Sequence, residues 1–191
     1  MLIFKPRVKK EEAEKLLSKR GKFLSFRRQT PVRVELVEIP YYFFTLDVSL
    51  KSGKTRPFCA ALDGILGTFA MVDPEALESE DCDMAFEFCF GLDSDDAKRR
   101  IFDECRWELY RRALKDREAY KIKKISEPTM CYYPYWVGYM ERKRKWDFAA
   151  LDAVTGIIQG GPMRRVFIQA FCDKSGKASE SSEDQRANAL V

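Results

Sequence analysis

The order of apolar and polar residues predicts two similar series of secondary-structure elements. The first series begins with an amphipathic helix over Lys9–Arg20, where apolar residues share one face and Gly21 ends the helix. Period-two alternation then predicts a long strand over 32–50, and a turn at Lys51–Lys54 leads into a returning strand over 55–62. The pattern is typical of a helix beside an antiparallel hairpin.

The second series repeats this order with a longer helix. Asp93–Asp96 is an acidic start with good capping residues, and apolar residues recur at helical spacing from Ile101 to Ala113. An edge strand over 121–125, a strand over 130–140 and a returning strand over 146–151 follow. Beyond Pro162, Val166, Phe167, Ala170 and Phe171 predict one more packed helix.

A short motif supports the interpretation of the two series as a duplication. An Ala-Ala-Leu-Asp sequence is followed by glycine four residues after its aspartate, and a Pro-aromatic-aromatic sequence lies upstream of each copy. The two aspartate–glycine pairs are Asp63 with Gly67 and Asp152 with Gly156. Each pair suits a tight hairpin, because aspartate accepts hydrogen bonds from its own turn and glycine tolerates positive φ. We interpret these four residues as structural.

The predicted fold is α+β, with two tandem repeats that each pack an amphipathic helix on a three- to four-stranded antiparallel sheet. Residues 1–75 form the first repeat, 76–92 an acidic connector, 93–172 the second repeat with its C-terminal helix, and 173–191 a flexible tail. The repeats are expected to pack on each other, with a cleft or a continuous sheet between them, because half of 191 residues buries little core alone.

Consecutive aromatic residues in the strands are the candidate binding residues. Neighbours on a strand point to opposite faces, so each run places rings on both sides of its sheet. The rings either fill the space between the repeats or stay exposed and contact a partner. Proline within a strand favours an edge or a bulge. The candidate contacts are Tyr41, Tyr42, Tyr133, Tyr135 and Trp136.

The distribution of charged residues leaves nucleic-acid binding open as a second function. The net charge is +4, and several basic clusters are separated from an acidic stretch around Glu78–Asp83. Such clusters are typical of nucleic-acid-binding surfaces and of ordinary solvated surfaces alike. The basic patch that would bind nucleic acid consists of Arg142, Lys143, Arg144, Lys145, Arg164 and Arg165.

Histidine is absent, which removes the commonest general base and the commonest metal ligand. The six cysteines include no Cys-x-x-Cys pair, so neither a metal nor a cofactor is predicted, and an enzyme would have to use carboxylates or a thiol. The N-terminus lacks the pattern of a signal peptide and no apolar run is long enough to span a bilayer, which favours a cytoplasmic protein. Oligomeric state is left open.

Residues 146–158, from Trp146 through the turn to Ile158, resemble the closing strand and hairpin of the PepSY-like family. The resemblance covers two tandem copies, roughly residues 9–70 and 95–159. It implies a helix packed on an antiparallel sheet and a binding or regulatory role, including inhibition of peptidases, and it carries over no catalytic residue. We therefore expect a non-catalytic intracellular module that recognises a protein, a peptide or a small ligand.

Overall fold

Three α-helices and eight β-strands make up the part of the chain that the computed structural model describes, namely residues 2–19, 30–72, 78–81, 88–142 and 145–188. The helices are α1 (Lys10–Lys19), α2 (Ser94–Asp116) and α3 (Gly161–Asn188). The strands are β1 (Leu2–Phe4), β2 (Arg33–Leu50), β3 (Thr55–Asp63), β4 (Phe69–Val72), β5 (Ser79–Asp81), β6 (Tyr120–Ile125), β7 (Thr129–Arg142) and β8 (Lys145–Asp152). The fold is α+β, as the sequence predicts.

The strands form one mostly antiparallel sheet with its two longest members, β2 and β7, side by side at the centre. β3 and β4 extend the sheet beyond β2, and β8 lies on the outer side of β7. β1 runs parallel to β7 and carries β5 on its other side, while β6 pairs with the end of β2 that β7 leaves free. Both predicted hairpins, β2–β3 and β7–β8, are therefore present, and the sheet is continuous between them.

Helices cover both faces of the sheet, because the central strands are apolar on both sides. α3 packs on one face through Val166, Phe167 and Ala170, all of them buried as their spacing predicts. α2 covers the opposite face beside β2 and β3, and α1 covers that same face beside β7 and β8. Gly138 of β7 permits the close approach of α1, since a Cβ there would lie 3.0 Å from Leu17.

The positions of the two strand prolines correct a prediction. Pro40 and Pro134 lie in the central strands β2 and β7, not in an edge strand or a bulge. The carbonyl of Pro40 accepts from Gly64 at 2.6 Å and that of Pro134 accepts from Ala153 at 3.2 Å. The nitrogen of a strand residue points the same way as its carbonyl, so each proline nitrogen faces the point where β3 or β8 ends. The β2–β7 ladder thus loses no donor.

Two predicted segment boundaries also look different in the structure. Within the predicted connector 76–92, Ser79–Asp81 form β5, and Phe88 and Leu92 are buried. α3 continues to Asn188, so most of the predicted tail is helical and its flexibility stays a prediction.

α2 begins as predicted, since the side chain of Asp93 accepts from the backbone N–H groups of Asp95 and Asp96, each at 2.9 Å. Among the described residues, no helix combines the length and the apolar character that crossing a bilayer requires.

Candidate functional site

Three of the five candidate aromatic residues lie together on the sheet face that α3 covers. Tyr41 of β2 and Tyr133 and Tyr135 of β7 occupy positions of the same parity, and their side chains are buried. The ring centroids of Tyr41 and Tyr133 are 5.7 Å apart, and those of Tyr133 and Tyr135 are 5.3 Å apart. Of the two alternatives that the sequence left open, these three side chains follow the buried one, because they help to fill the core beneath α3.

Their hydroxyl groups form two separate groups of hydrogen bonds. The hydroxyl oxygens of Tyr41 and Tyr135 are 2.7 Å apart, and the Tyr41 hydroxyl donates to the sulfur of Met163 at 3.4 Å. A hydroxyl carries a single proton, so Tyr41 accepts its bond from Tyr135. The Tyr133 hydroxyl donates to both carboxylate oxygens of Asp152, at 3.0 and 3.1 Å.

All three hydroxyl groups are held neutral. Burial raises the pKa of Tyr41, Tyr133 and Tyr135 well above the ordinary range for tyrosine. The nearby carboxylate of Asp152 raises the pKa of Tyr133 further, because a second negative charge beside it is unfavourable. The tyrosines therefore act near neutral pH as hydrogen-bonding groups and as aromatic surfaces.

The first of the two predicted turns, from Asp63 to Gly67, is closed by its own carboxylate. Asp63 is fully buried, and its Oδ1 accepts from the backbone of Ile65 at 3.0 Å and of Leu66 at 2.7 Å. Its Oδ2 accepts from the backbone of Thr68. Gly67 has φ of +73°, which suits a residue without a Cβ. The structural role predicted for Asp63 matches this geometry.

The second turn has the same backbone but leaves part of its carboxylate open. Oδ1 of Asp152 accepts from Val154 at 2.8 Å and from Thr155 at 2.9 Å, and Gly156 also has φ of +73°. The two turns differ at the residue after the glycine. In the first turn the Thr68 N–H bonds to the aspartate, whereas in the second the Ile157 N–H bonds to the hydroxyl of Thr155 at 3.4 Å. Among the described residues, the Tyr133 hydroxyl is thus the sole partner of Oδ2.

Asp152 is also one of the residues that line a cavity of about 400 Å³. The buried tyrosines and Asp152 line it from the sheet, β4 lines one side, and the turn before α3 lines the other. Its described lining contains one carboxylate and neither lysine nor arginine: Tyr41, Phe43, Ala61, Thr68, Phe69, Ala70, Met71, Val72, Tyr133, Tyr135, Asp152, Thr155, Gln159, Gly160, Pro162 and Met163. We call this cavity the tyrosine pocket.

Arg7 lowers the pKa of Tyr133, against the larger effect of burial. Its guanidinium pairs with Glu78 at 3.5 Å, and it does not line the cavity. Among its described lining residues, the pocket therefore presents one carboxylate and no cation.

The other two candidate aromatic residues lie on the opposite face of the sheet. The Tyr42 hydroxyl donates to the carbonyl of Leu92 at 2.8 Å beneath α2. The Trp136 indole donates to the carbonyl of Val8 at 2.7 Å beside α1. Both side chains support helix packing and neither reaches the tyrosine pocket.

The predicted basic patch is only partly described. The side chain of Arg142, and Lys143 and Arg144 entirely, lie outside the described residues. Lys145 and Arg165 are exposed, whereas Arg164 donates to Asp147 at 2.7 Å and to the carbonyl of Phe148 at 2.6 Å. Arg164 thus holds the start of α3 against β8, and nucleic-acid binding by the patch stays a prediction.

Sequence reasoning missed most of the residues that line the pocket, among them Met71, Thr155 and Met163. Met163 and the β4 residue Met71 come from elements whose placement depends on the whole sheet. Thr155 had a visible signal, because it occupies the position of Leu66 in the first turn. In the part of the chain that the structure describes, no group of three or more His, Cys, Asp or Glu side chains is placed to hold a metal ion.

Comparison of the chain with models of known protein families, with curated proteins and with solved structures gave no match. The resemblance to PepSY-like domains accordingly stays a prediction.

Proposed function

We propose that the protein is a non-catalytic binding module whose tyrosine pocket takes a small ligand with a positively charged amine. The proposal rests on Asp152, whose Oδ2 accepts only from the Tyr133 hydroxyl among the described residues and can accept further hydrogen bonds. Asp152 lines a cavity whose described lining has no cation. A volume of about 400 Å³ suits a ligand of roughly one ring and a short arm.

Aromatic rings around the carboxylate favour the same class of ligand. The faces of Tyr41, Tyr133 and Tyr135 carry negative potential, and a cation within roughly 6 Å of a ring centre is attracted to it. An ammonium group could therefore donate to Asp152 while resting on a tyrosine ring. An anion would meet the carboxylate without a compensating charge, and a neutral ligand would lose the charge-assisted bond.

We further propose that the two halves descend from one duplicated unit. Support comes from the β2–β7 ladder, where Pro40 faces Tyr132, two residues before Pro134, and Pro134 faces Glu38, two residues before Pro40. Asp63 and Asp152 end equivalent strands, β3 and β8, and begin the same turn. In this view, one copy of the turn stabilises the fold and the other has become free to contact a ligand.

The test compares three probes of similar size: benzylamine, benzyl alcohol and benzoate. Isothermal titration calorimetry at neutral pH should show benzylamine, which is cationic there, binding roughly tenfold or more tightly than the alcohol, and no saturable binding of benzoate. Asp152→Asn should remove the preference for the amine. Asp47→Asn, at an exposed carboxylate elsewhere on β2, is the matched control and should leave the preference intact.

A second variant tests the open oxygen itself. Thr155→Leu copies the first turn, so the Ile157 N–H loses its hydroxyl partner and can turn to Oδ2 of Asp152. We expect weaker amine binding with little change in stability. Equal affinity of all three probes, or an amine preference that survives Asp152→Asn, would rule out the proposed ligand class.

A further inference from the structure

α2 carries apolar side chains on two faces, and the structure uses one of them for the core. Ala97, Ile101, Cys105 and Leu109 are buried against β2 and β3. The other face exposes a stripe of large apolar side chains made of Phe102, Trp107, Tyr110 and Leu114. Trp107 is 68% exposed, although a side chain of this size is usually largely buried. A contiguous stripe of this kind is typical of an interaction surface.

Phe102, Trp107 and Tyr110 of the stripe line one wall of a groove, and β6 lines the other. The groove has a volume of about 910 Å³ and runs between Phe102, Trp107 and Tyr110 on α2 and Tyr120–Ile122 on β6. Trp107 and Tyr110 meet edge to face, with ring centroids 6.3 Å apart. This contact orients the two rings without covering them.

β6 is an edge strand on the side of the groove. It pairs with β2, and no described residue pairs with its other side. The outward backbone N–H and C=O groups of Tyr120–Ile125 can therefore accept an added strand. Such a strand would lie beneath the exposed stripe of α2.

Charge indicates what kind of strand would fit. Lys121, Lys123 and Lys124 are exposed, and none has a carboxylate within 4 Å among the described residues. Arg106 in the groove stacks on Phe102 at 5.7 Å, and Asp103 is the acidic residue among the lining side chains. Three exposed lysines thus lie along the open edge, and Asp116 lies at its start, where it accepts from the Tyr120 hydroxyl at 2.8 Å.

We propose that β6 and the α2 stripe dock an extended acidic segment of a partner protein by strand addition. Tyr120 and Ile122 turn towards α2, whereas Lys121 and Lys123 are more exposed, in keeping with the alternation of a strand. The docked segment would alternate in the same way, with apolar side chains under Trp107 and acidic side chains beside the lysines. This site is separate from the tyrosine pocket, so either can fail without the other.

Edge lysines also protect sheets against unwanted pairing, which is the simpler explanation of their presence. That explanation leaves the apolar stripe without a role, since exposed Trp107 and Leu114 would promote association instead of preventing it. The acidic, alternating segment accounts for both features at once.

The experiment uses a capped seven-residue peptide that alternates valine with glutamate, labelled for fluorescence anisotropy. A peptide with lysine in place of glutamate tests charge, and one with N-methyl groups on alternate residues tests backbone pairing. Trp107→Ala should weaken binding of the acidic peptide roughly tenfold. Trp146→Ala removes an equally exposed tryptophan, at 67%, from β8 and should not weaken binding. The double charge reversal Lys121→Glu with Lys123→Glu should transfer the preference to the lysine peptide.

N-methylation should abolish binding if backbone pairing holds the peptide. Absence of saturable binding up to about 1 mM, or equal binding of the acidic and lysine peptides, would overturn the proposal. So would affinity that is unchanged in Trp107→Ala. Light scattering provides the remaining check: a concentration-dependent dimer of the unaltered chain that Trp107→Ala disrupts would show that a second copy covers this surface instead.

Discussion

Replacement of Asp63 by asparagine should destabilise the protein much more than the same replacement of Asp152. The asparagine carbonyl can still accept from Ile65 and Leu66, which bond to Oδ1 in the native turn. The amide NH₂ then takes the place of Oδ2 and faces the Thr68 N–H, so two donors oppose each other, and the one on residue 63 is buried. The turn also loses the negative charge that strengthens the remaining bonds.

The expected loss follows from these contacts. A hydrogen bond to a charged group contributes about 1.5–3 kcal/mol, and a buried donor left without a partner costs about 1–3 kcal/mol. We expect Asp63→Asn to lower the free energy of unfolding by about 2–4 kcal/mol. At this chain length, such a loss lowers Tm by roughly 5–12 °C. Asp152→Asn should cost under about 1 kcal/mol, because Oδ2 of Asp152 accepts from no backbone N–H in the described structure.

Urea unfolding followed by far-UV circular dichroism measures both variants against the unaltered protein. The dependence of the unfolding free energy on urea should stay the same, so that the shift in midpoint reports stability alone. The reasoning is wrong if Asp63→Asn unfolds within about 1 kcal/mol of the unaltered protein, or if both variants lose the same amount.

Further predictions concern the core around the pocket and the thiols. Tyr41→Phe and Tyr135→Phe should each cost about 1–2 kcal/mol in urea unfolding, and the double variant should cost less than the sum; strict additivity would contradict a direct bond between the two hydroxyls. Phe167→Ala should cost about 3–5 kcal/mol, because the ring is fully buried and packs edge to face on Tyr135, and a loss below about 1 kcal/mol would place the ring outside the core. Burial raises the pKa of Cys105 to about 12 and that of Cys131 above the ordinary range, so neither thiol should react with iodoacetamide at pH 8 until the chain unfolds, as mass spectrometry of the labelled peptides would show. Because unfolded thiols ionise at a lower pH than these buried ones, stability should fall as pH rises above about 9, and a flat alkaline profile would contradict this.

The sequence predicts the two turns well because their chemistry is local. Asp63 bonds to residues two, three and five positions later, and Gly67 needs positive φ within the same turn. Such contacts are encoded in consecutive residues, so no knowledge of the rest of the fold is required. The same holds for the capping of α2 by Asp93.

The tyrosine pocket could not be predicted in this way, because it depends on a ladder between strands that are distant in sequence. Alternation shows that Tyr133 and Tyr135 share one face and that Trp136 lies on the other. It does not show that Tyr41, 94 positions before Tyr135, belongs to the adjacent strand. For the same reason Pro40 was wrongly predicted to lie in an edge strand or a bulge. A central strand accepts proline where the neighbouring strand ends, and the sequence does not show where that is.

Helical spacing was equally ambiguous for α2. Apolar residues at Ile101, Phe102 and Tyr110 satisfy a helical period together, but the structure divides them between the buried face and the exposed stripe. A sheet of limited width covers one side of a helix of 23 residues, and the sequence does not say which side. The surplus apolar side chains are therefore informative only once the core is known.

The difference between the two turns connects architecture with function. Thr68 and Ile157 both follow a turn glycine, yet the Thr68 N–H closes its carboxylate while the Ile157 N–H is taken by a threonine hydroxyl. A single side chain, Thr155 where the first turn has Leu66, can produce that change without altering the backbone. The resulting open oxygen lies at the pocket and not at the other turn, so the asymmetry occurs where a ligand has room to use it. Under the proposed binding function, this asymmetry has a physical reason, because a charged ligand needs a carboxylate oxygen that no backbone N–H occupies.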